Sequence, residues 1–542
     1  MACLVKSMTS SLLTLEGVSF VLPDGRVLFH DLFETLDARP TGLVGGNGVG
    51  KSVLGQICAG LLPPTAGRCQ RVVEVHYLAQ QADGGFGTVA SLAGVENILG
   101  ALERIEAGGV DASDFEIVGT HWDLRDRFRQ ALDEAQLGKL TPDASAAQLS
   151  GGEAMRVALL GARLSGAGYL ILDEPTNHLD RAGRDALMTW LSGWRGGLLV
   201  ISHDRTLLDT MERTLELDGG ALQAYGGSYS FYAGQKAKDR EAAQRELASA
   251  RAERRRGEQA LREQNERINQ RAARGERAGK TANQAPILLG RRKEKSEGTA
   301  ARLRERQAAQ REQLNERTRE AAARVGSDKT VVLRAPEFET TPGRAAKLSH
   351  VVLPWVQTDA RAIDLTITGR QRIGVIGPNG CGKSTLLKVL AGELAPSSGA
   401  AEVFVPFARL DQRLSRLDPA SSAIMQLEQA APGVAEGELR SRLALLGLET
   451  DVATRPTALL SGGERLKAAL ALALLATPPA QLLLLDEPGN HLDLASLQAV
   501  EAMLREYTGA LVVVSHDAAF LENIGLTDLL VREDEVWTIR PT

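Results

Sequence analysis

Unbroken apolar runs, rather than alternating ones, recur in the first and last thirds of the chain. Thr41–Val44, Leu170–Leu172 and Leu198–Ile201 are matched late in the sequence by Arg372–Ile376, Leu482–Leu485 and Leu511–Val514. Runs this short, apolar at consecutive positions, predict strands covered on both faces, as in a parallel sheet between helices. The longest apolar run, Ala468–Ala476, has nine residues, against the ~20 needed to cross a bilayer, so no membrane span is expected. The middle of the chain reads differently. Gly234–Val325 contains no Phe, Trp or Tyr and is mostly Ala, Arg, Glu and Gln, a helix-forming mixture. Leu247, Leu261 and Ile268 share one heptad position, with Arg254 in the same register and Gly257 between. Gly275, Gly279, Pro286 and Gly290 predict a break. Two helices of about 30–40 residues, each ~45–60 Å long at 1.5 Å per residue, are therefore expected to fold back as a hairpin.

Composition changes this picture only where it is uneven. The 542 residues are 43% hydrophobic and 24% charged, a globular mixture with room for several domains at ~150 residues each. The net charge of −5 is bland, yet Gly234–Val325 holds 25 basic and 14 acidic residues, a local +11, leaving 38 and 54 elsewhere, a net −16. Twenty of those 25 basic residues are Arg. Guanidinium groups without stacking rings suit backbone phosphate rather than base reading. From charge alone, a solvated spacer is the competing reading. Cys3, Cys58, Cys69 and Cys381 form neither a disulfide framework nor a zinc pattern, which fits a reducing cytoplasm. Met1–Leu13 lacks the basic and apolar regions of a secretory leader, and Met8 is an equally good start.

Either side of the basic segment, the sequence repeats itself. Gly45-Gly46-Asn47-Gly48-Val49-Gly50-Lys51-Ser52 returns as Gly377-Pro378-Asn379-Gly380-Cys381-Gly382-Lys383-Ser384, and Leu149–Glu153 as Leu460–Glu464. Asp173-Glu174-Pro175-Thr176-Asn177-His178-Leu179-Asp180 returns with Gly489 in place of the threonine, and Ser202-His203-Asp204 as Ser515-His516-Asp517. Lys51 to Gln80 and Lys383 to Gln412 are both 29 residues, and Asp173 to His203 and Asp486 to His516 both 30. One interval differs: Gln80 to Ser150 is 70 and Gln412 to Ser461 is 49, an excess of 21 in the first copy read as a helical insertion.

Each motif permits a definite chemistry. A Gly-x4-Gly-Lys-Ser loop between strand and helix aims backbone amides and a helix N-terminus at phosphate. Its lysine, Lys51 or Lys383, reaches terminal phosphates, and Ser52 or Ser384 binds Mg²⁺. Asp173 and Asp486 at strand ends suit the Mg²⁺ shell, and Glu174 and Glu487 are placed to accept a proton from water. His203 and His516 end strands, where a lone histidine is ordinarily structural; the matched spacing points instead to the γ-phosphate. Ser150-Gly151-Gly152 and Ser461-Gly462-Gly463 open helices, and by themselves read as capped starts with Glu near the third position.

Together these runs resemble the ATP-binding cassette superfamily and, more narrowly, the ABC-F family of twin-cassette proteins. The run from Glu174 to Asp180, the charged linker and the absent membrane segment carry the narrower likeness. The resemblance implies an α/β fold: cassettes over 1–232 and 327–542, joined by a basic helical hairpin over 233–326. It implies an ATP hydrolase with two ATP sites shared head to tail. One would use Gly45, Asn47, Gly48, Gly50, Lys51, Ser52, Val53, Gln80, Asp173, Glu174 and His203 with Ser461, Gly462 and Gly463. The other would use Gly377, Asn379, Gly380, Gly382, Lys383, Ser384, Thr385, Gln412, Asp486, Glu487 and His516 with Ser150, Gly151 and Gly152. Ser52, Gln80 and Asp173, and Ser384, Gln412 and Asp486, would bind Mg²⁺. Family members act on the ribosome, placing the linker in the tRNA exit site against tRNA and ribosomal RNA. The implied molecule is a cytoplasmic monomer with an intramolecular cassette sandwich. The alternative is the ATP-hydrolysing subunit of a transporter whose membrane part is a separate chain. A chromosome or DNA-repair ATPase would need a longer coiled coil or zinc ligands. Val53 and Gly489 depart from the family pattern and imply unequal sites. Phe20 and Trp355 are the candidate aromatics for adenine, and Cys381 is either thiol-sensitive or an inert small residue.

Overall fold

The structure is a computed structural model that describes residues 11–79, 87–149, 151–177, 179–281, 305–322, 324, 343–355, 362–490, 492–533 and 536–542. It divides into two compact units, Met1–Ser230 together with Val331–Thr542, and Phe231–Thr330.

The first unit contains the duplicated fold. In the first copy, β3 (Thr41–Gly45), β5 (Val75–Leu78), β6 (Tyr169–Asp173), β7 (Gly197–Ile201), β8 (Arg213–Asp218) and β9 (Ala221–Gly226) form a six-stranded sheet ordered β5-β6-β7-β3-β8-β9. In the second, β12 (Arg372–Ile376), β14 (Phe407–Leu410), β15 (Leu482–Asp486), β16 (Ala510–Val514), β17 (Asp528–Glu533) and β18 (Val536–Pro541) repeat it as β14-β15-β16-β12-β17-β18. Only the last strand of each sheet runs antiparallel to its neighbour. Each copy adds a smaller antiparallel sheet: β1 (Leu13–Val21), β2 (Val27–Leu36) and β4 (Ala66–Arg71) in the order β2-β1-β4, and β10 (Arg344–Val352), β11 (Ile363–Thr368) and β13 (Ser398–Val403) in the order β11-β10-β13.

The unbroken apolar runs are explained by two cores, one on each face of every large sheet. Tyr169 and Ile171 enter the core shared with the small sheet, while Leu170 and Leu172 enter the helical core. Leu482 and Leu484, against Leu483 and Leu485, divide the same way. Successive side chains point to opposite faces, so both must be apolar when both faces are dry.

The excess residues of the first copy are helical, as expected. Val89–Leu92, Glu96–Glu106, Ala112–Val118 and Leu124–Glu134 precede the helix Gly151–Leu164, whereas Ala423–Ala430, Glu436–Leu445 and Thr450–Ala453 precede Gly462–Leu475. This packing dictates a residue. A Cβ on Gly161 would lie 1.9 Å from the carbonyl oxygen of Ala93, whereas the second copy accommodates Leu472 at that position.

In the second unit the expected hairpin is present, with one correction. The first helix runs unbroken over Tyr229–Thr281, 53 residues, or roughly 80 Å at 1.5 Å per residue. It passes through Gly275 and Gly279, where a break was expected. Each glycine costs only about 1 kcal/mol against alanine, too little to end a helix rich in Ala, Arg and Glu. Pro286 and Gly290 lie outside the described residues. The returning helix covers 305–322. Gln307 reaches Gln264 (3.3 Å), Arg317 reaches Glu253 (3.3 Å) and Arg324 reaches Glu246 (2.7 Å), a falling register that makes the pair antiparallel. Gly257 has its use here: a Cβ on it would lie 2.5 Å from Leu314 Cδ1.

Gly161→Ala is expected to destabilise the protein by about 1–3 kcal/mol, the range for overpacking, read as a lower midpoint in urea unfolding. An unchanged midpoint would show that the helix Gly151–Leu164 can slide away from Ala93 at no cost.

Candidate functional site

In each copy the glycine-rich loop joins the sheet's third-from-last strand to a helix, Lys51–Ala59 or Lys383–Leu390. Gly48 and Gly50 have φ of 75° and 103°, and Gly380 and Gly382 of 77° and 99°, a conformation in which side chains are rarely found. Lys51 Nζ donates to the carbonyls of Gly45 (2.8 Å) and Gly46 (2.9 Å), and Lys383 Nζ to those of Gly377 (2.8 Å) and Pro378 (2.9 Å). Both ammonium groups thus close over their own loops, and burial draws Lys51 below its ordinary pKa. Cys381 packs beside Gly377, and burial pushes its thiol up, which favours the inert reading.

The neighbouring strand ends supply the carboxylates. Asp173 and Asp486 close β6 and β15. The next residues, Glu174 and Glu487, have left-handed backbones, φ 49° and 48°. Such conformations cost on the order of 1–3 kcal/mol and persist where their surroundings hold them. Here the amide of Glu174 donates to Ile201 O (2.8 Å) and that of Glu487 to Val514 O (2.9 Å), the last carbonyls of the next strand. Each glutamate Oε1 then faces a histidine Nε2, Glu174 to His203 at 3.3 Å and Glu487 to His516 at 3.5 Å. Burial first, then a nearby lysine, presses His203 down to about 3 and His516 to about 4, so both imidazoles are neutral at pH 7. Burial pushes Glu174 up to about 8 and Glu487 up to about 7 against the pull of Lys51 and Lys383.

The donor set fits a nucleotide with a hard divalent cation. Among the described residues, Asp173 Oδ1, Glu487 Oε1, His203 Nδ1 and His516 Nδ1 are buried without a hydrogen-bond partner. Each such group costs about 1–3 kcal/mol until something satisfies it. Ser384 Oγ donates to Asp486 Oδ1 at 3.1 Å, which brings two oxygens of the kind Mg²⁺ prefers together. In the first site Asp173 Oδ2 instead accepts from Tyr77 at 2.8 Å.

Both sites are built by both copies. Asn47 N donates to Asp493 Oδ2 and Asn379 N to Asp180 Oδ2, each at 3.0 Å, so either loop is touched by the other copy's aspartate. A cavity of about 480 Å³ is lined by Asn47, Gly48, Gly50, Lys51, Ser52, Val53, Asp173, Glu174 and His203 with Asn490 and Leu497. A second, of about 290 Å³, is lined by Asn379, Gly380, Gly382, Lys383, Ser384, Thr385, Gln412, Asp486, Glu487 and His516 with Leu179 and Arg184. Among the described residues, Gly151, Gly152, Ser461, Gly462 and Gly463 do not line either. Ser461 forms a capping box with Glu464 (2.8 Å and 3.3 Å), while Gly152 borders a third cavity, of about 640 Å³, that reaches Asn379. Gly151, Gly462 and Gly463 begin their helices as read. Gln80 and Ser150 lie outside the described residues. Neither candidate aromatic lines any of these three cavities: Phe20 packs on Phe29 at 6.3 Å and Trp355 is 85% exposed, and Leu22, Arg26 and Leu28 line the first cavity instead.

Sequence reasoning passed over Tyr77, Arg184 and the two aspartates, Asp180 and Asp493. The aspartates stood in the repeated run and carried a signal. Tyr77 and Arg184 did not, because the other copy has Arg409 and Leu497 at those places.

The family model described as "ABC transporter" matches residues 34–177 and 360–490. The chain is 31% identical to the tylosin resistance ATP-binding protein TlrC of Streptomyces fradiae over 98% of its own length and 99% of that protein's. It is 32% identical to the energy-dependent translational throttle protein EttA of Mycobacterium tuberculosis, over 89% and 84%. It is 27% identical to ABC transporter F family member 5 of Arabidopsis thaliana, over 95% and 74%. Among the described residues no helix is long and apolar enough to cross a membrane.

The buried glutamates set a pH dependence. Unfolded, they release protons near the ordinary 4.5; folded, near 8 and 7. The folded chain therefore holds more protons between those values, and its stability falls as pH rises through that window. Replacing both by glutamine removes the loss. Without nucleotide, the double variant is expected to melt above the parent at pH 8 and level with it near pH 4.5; a gap equal at both would contradict the assignment.

Proposed function

The chain belongs to the ATP-binding cassette family and, within it, to the ABC-F type, and on that premise we propose that it is a ribosome-associated ATPase that modulates translation. It is an ATP hydrolase. The proposal assigns cassettes to 1–232 and 327–542 and the basic linker to 233–326. Its cation would sit on Ser52, Asp173 and Gln80 in one site and on Ser384, Asp486 and Gln412 in the other. Bound there, Mg²⁺ neutralises phosphate charge.

The residues do the rest by placement. Loop amides and Lys51 or Lys383 take the phosphates, the lysine exchanging its own loop carbonyls for phosphate oxygens. Glu174 and Glu487 are the general bases. Their left-handed backbones aim each carboxylate at the histidine, and the neutral imidazole of His203 or His516 can hydrogen-bond a γ-phosphate oxygen. Ser461 to Gly463 and Ser150 to Gly152 would complete the opposite sites when the cassettes close. Asp493 and Asp180, already on the facing loops, supply the path by which closure is sensed.

The observation that carries the ribosomal reading is the hairpin. The segment Gly234–Val325, which supplies most of both antiparallel helices, carries 20 arginines and no aromatic side chain, so it can grip nucleic-acid backbone without reading bases. Likeness to EttA, by its name a translational throttle, along most of both chains supports the same conclusion. On this reading the hairpin enters the tRNA exit site and contacts tRNA and ribosomal RNA, ATP closing the cassettes around that state and hydrolysis releasing it. The molecule works as a cytoplasmic monomer.

Glu174→Gln with Glu487→Gln is expected to lower ATP turnover by at least ~10²-fold, the scale for losing a positioned base, and to co-sediment with ribosomes in ATP. That binding should weaken steeply with salt if arginine–phosphate contacts carry it. Parental turnover would refute the bases; normal ATP retention without ribosome binding would refute the partner.

A further inference from the structure

Asp173 and His203 find their repeats, Asp486 and His516, at the same offset of 313 residues. Carried along that offset, Arg184 meets Leu497, Met188 meets Glu501, and Arg205 meets Ala518. The first cassette thus bears two arginines that the second lacks. Arg205 ties the cassettes together: its Nη1 lies 2.9 Å from Glu501 Oε1, both side chains nearly buried, with Asn523 Nδ2 on the other oxygen at 3.1 Å. That contact has no mirror image, because Ala518 and Met188 cannot make it.

Arg184 sits closer to the chemistry. It borders both nucleotide cavities. Its Nη1 lies 2.7 Å from Asp204 Oδ2 and its Nε donates to Leu179 O at 3.3 Å. Asp204 divides its oxygens between two tasks. Oδ1 caps the helix Arg205–Asp209 through the amides of Thr206 (2.9 Å) and Leu207 (3.1 Å), while Oδ2 holds the arginine. The guanidinium can therefore turn away without uncapping that helix. Its positive charge acts on Glu487 and on His516, the two second-site groups opposite it. At the mirror position the first site meets the aliphatic side chain of Leu497.

We infer that Arg184 is a phosphate-binding residue that the first cassette extends into the second nucleotide site: tethered to Asp204 beside His203, it sets an extra positive charge against the phosphate end of that site, which turns over faster than the first. The charge matters because the cleft is partly dry, where a fixed cation stabilises developing phosphate charge far better than in water. The tether also links the sites: an arriving phosphate and Asp204 compete for one guanidinium, so filling the second site alters what holds the segment after His203 in the first. None of this depends on what the hairpin binds.

The test separates the sites. Glu174→Gln leaves only the second turning over, and Glu487→Gln only the first. In the Glu174→Gln protein, adding Arg184→Leu is expected to lower kcat about tenfold with a smaller change in KM, part of the loss being recovered by Arg184→Lys. The same substitution in the Glu487→Gln protein should cost less than a third as much. Binding of a fluorescent, slowly hydrolysed ATP analogue, with Lys51→Ala confining it to the second site, should weaken when Arg184 becomes leucine. Circular dichroism of each variant, with Leu497→Arg as a further control, establishes folding. Equal losses at the two sites, a lysine variant no better than leucine, or unchanged analogue binding would overturn the proposal.

Discussion

What the rest of this molecule depends on is a knot of charge taken out of water at the ends of three neighbouring parallel strands. In each sheet the strands bearing the glycine-rich loop, the histidine and the Asp-Glu pair lie side by side, β3, β7 and β6, or β12, β16 and β15. Parallel alignment sends all three chain segments out at one edge, so a lysine, two carboxylates and an imidazole share a space that none would choose alone. The apolar strands behind them provide the stability to tolerate it.

Burial sets the protonation and geometry sets the direction. Glu174 and Glu487 resist ionisation, and His203 and His516 resist protonation. Each lysine lies folded onto its own loop, and several polar atoms have no partner. A polyanion with its cation relieves these tensions together: it draws the lysine outward, satisfies orphaned oxygens and nitrogens, and adds charge that the loop amides already face. The contact between the halves is reciprocal: each glycine-rich loop is touched by the opposite cassette's aspartate, at 3.0 Å in both cases.

Much of this was legible in the sequence because duplication supplies its own control. A histidine at one strand end carries little information, whereas two at identical distance from Asp-Glu pairs, in chains of like order, mark a shared requirement. The large sheets and the hairpin followed from runs and composition for a related reason: both depend on many residues acting alike. Backbone handedness at Glu174 and Glu487 had no sequence signature, because nothing in a glutamate announces a positive φ; it follows from the carbonyls of Ile201 and Val514 on the neighbouring strand. Gly257 misled in the opposite sense: it reads as a weak point in a helix and is instead the place where Leu314 needs room, and Gly161, which carried no signal, does the same for the Ala93 carbonyl.

Comparison of the two halves finds what they share and passes over what they do not. Tyr77 against Arg409, Arg184 against Leu497 and Arg205 against Ala518 look like drift on paper, yet Arg184, Leu497 and Arg205 lie at the shared interface and Tyr77 bonds the first site's aspartate. Two identical clefts facing each other would leave no reason for one to act before the other. Here the first holds its aspartate with a phenol, the second brings a serine hydroxyl to it, and among the described residues a buried ion pair, Arg205 to Glu501, crosses from the first cassette to the second without a mirror image. A buried pair of that kind is costly to break from one side, so the interface prefers a single way of meeting. Duplication thus explains why the chain has two sites, and the unshared residues make those sites chemically unlike.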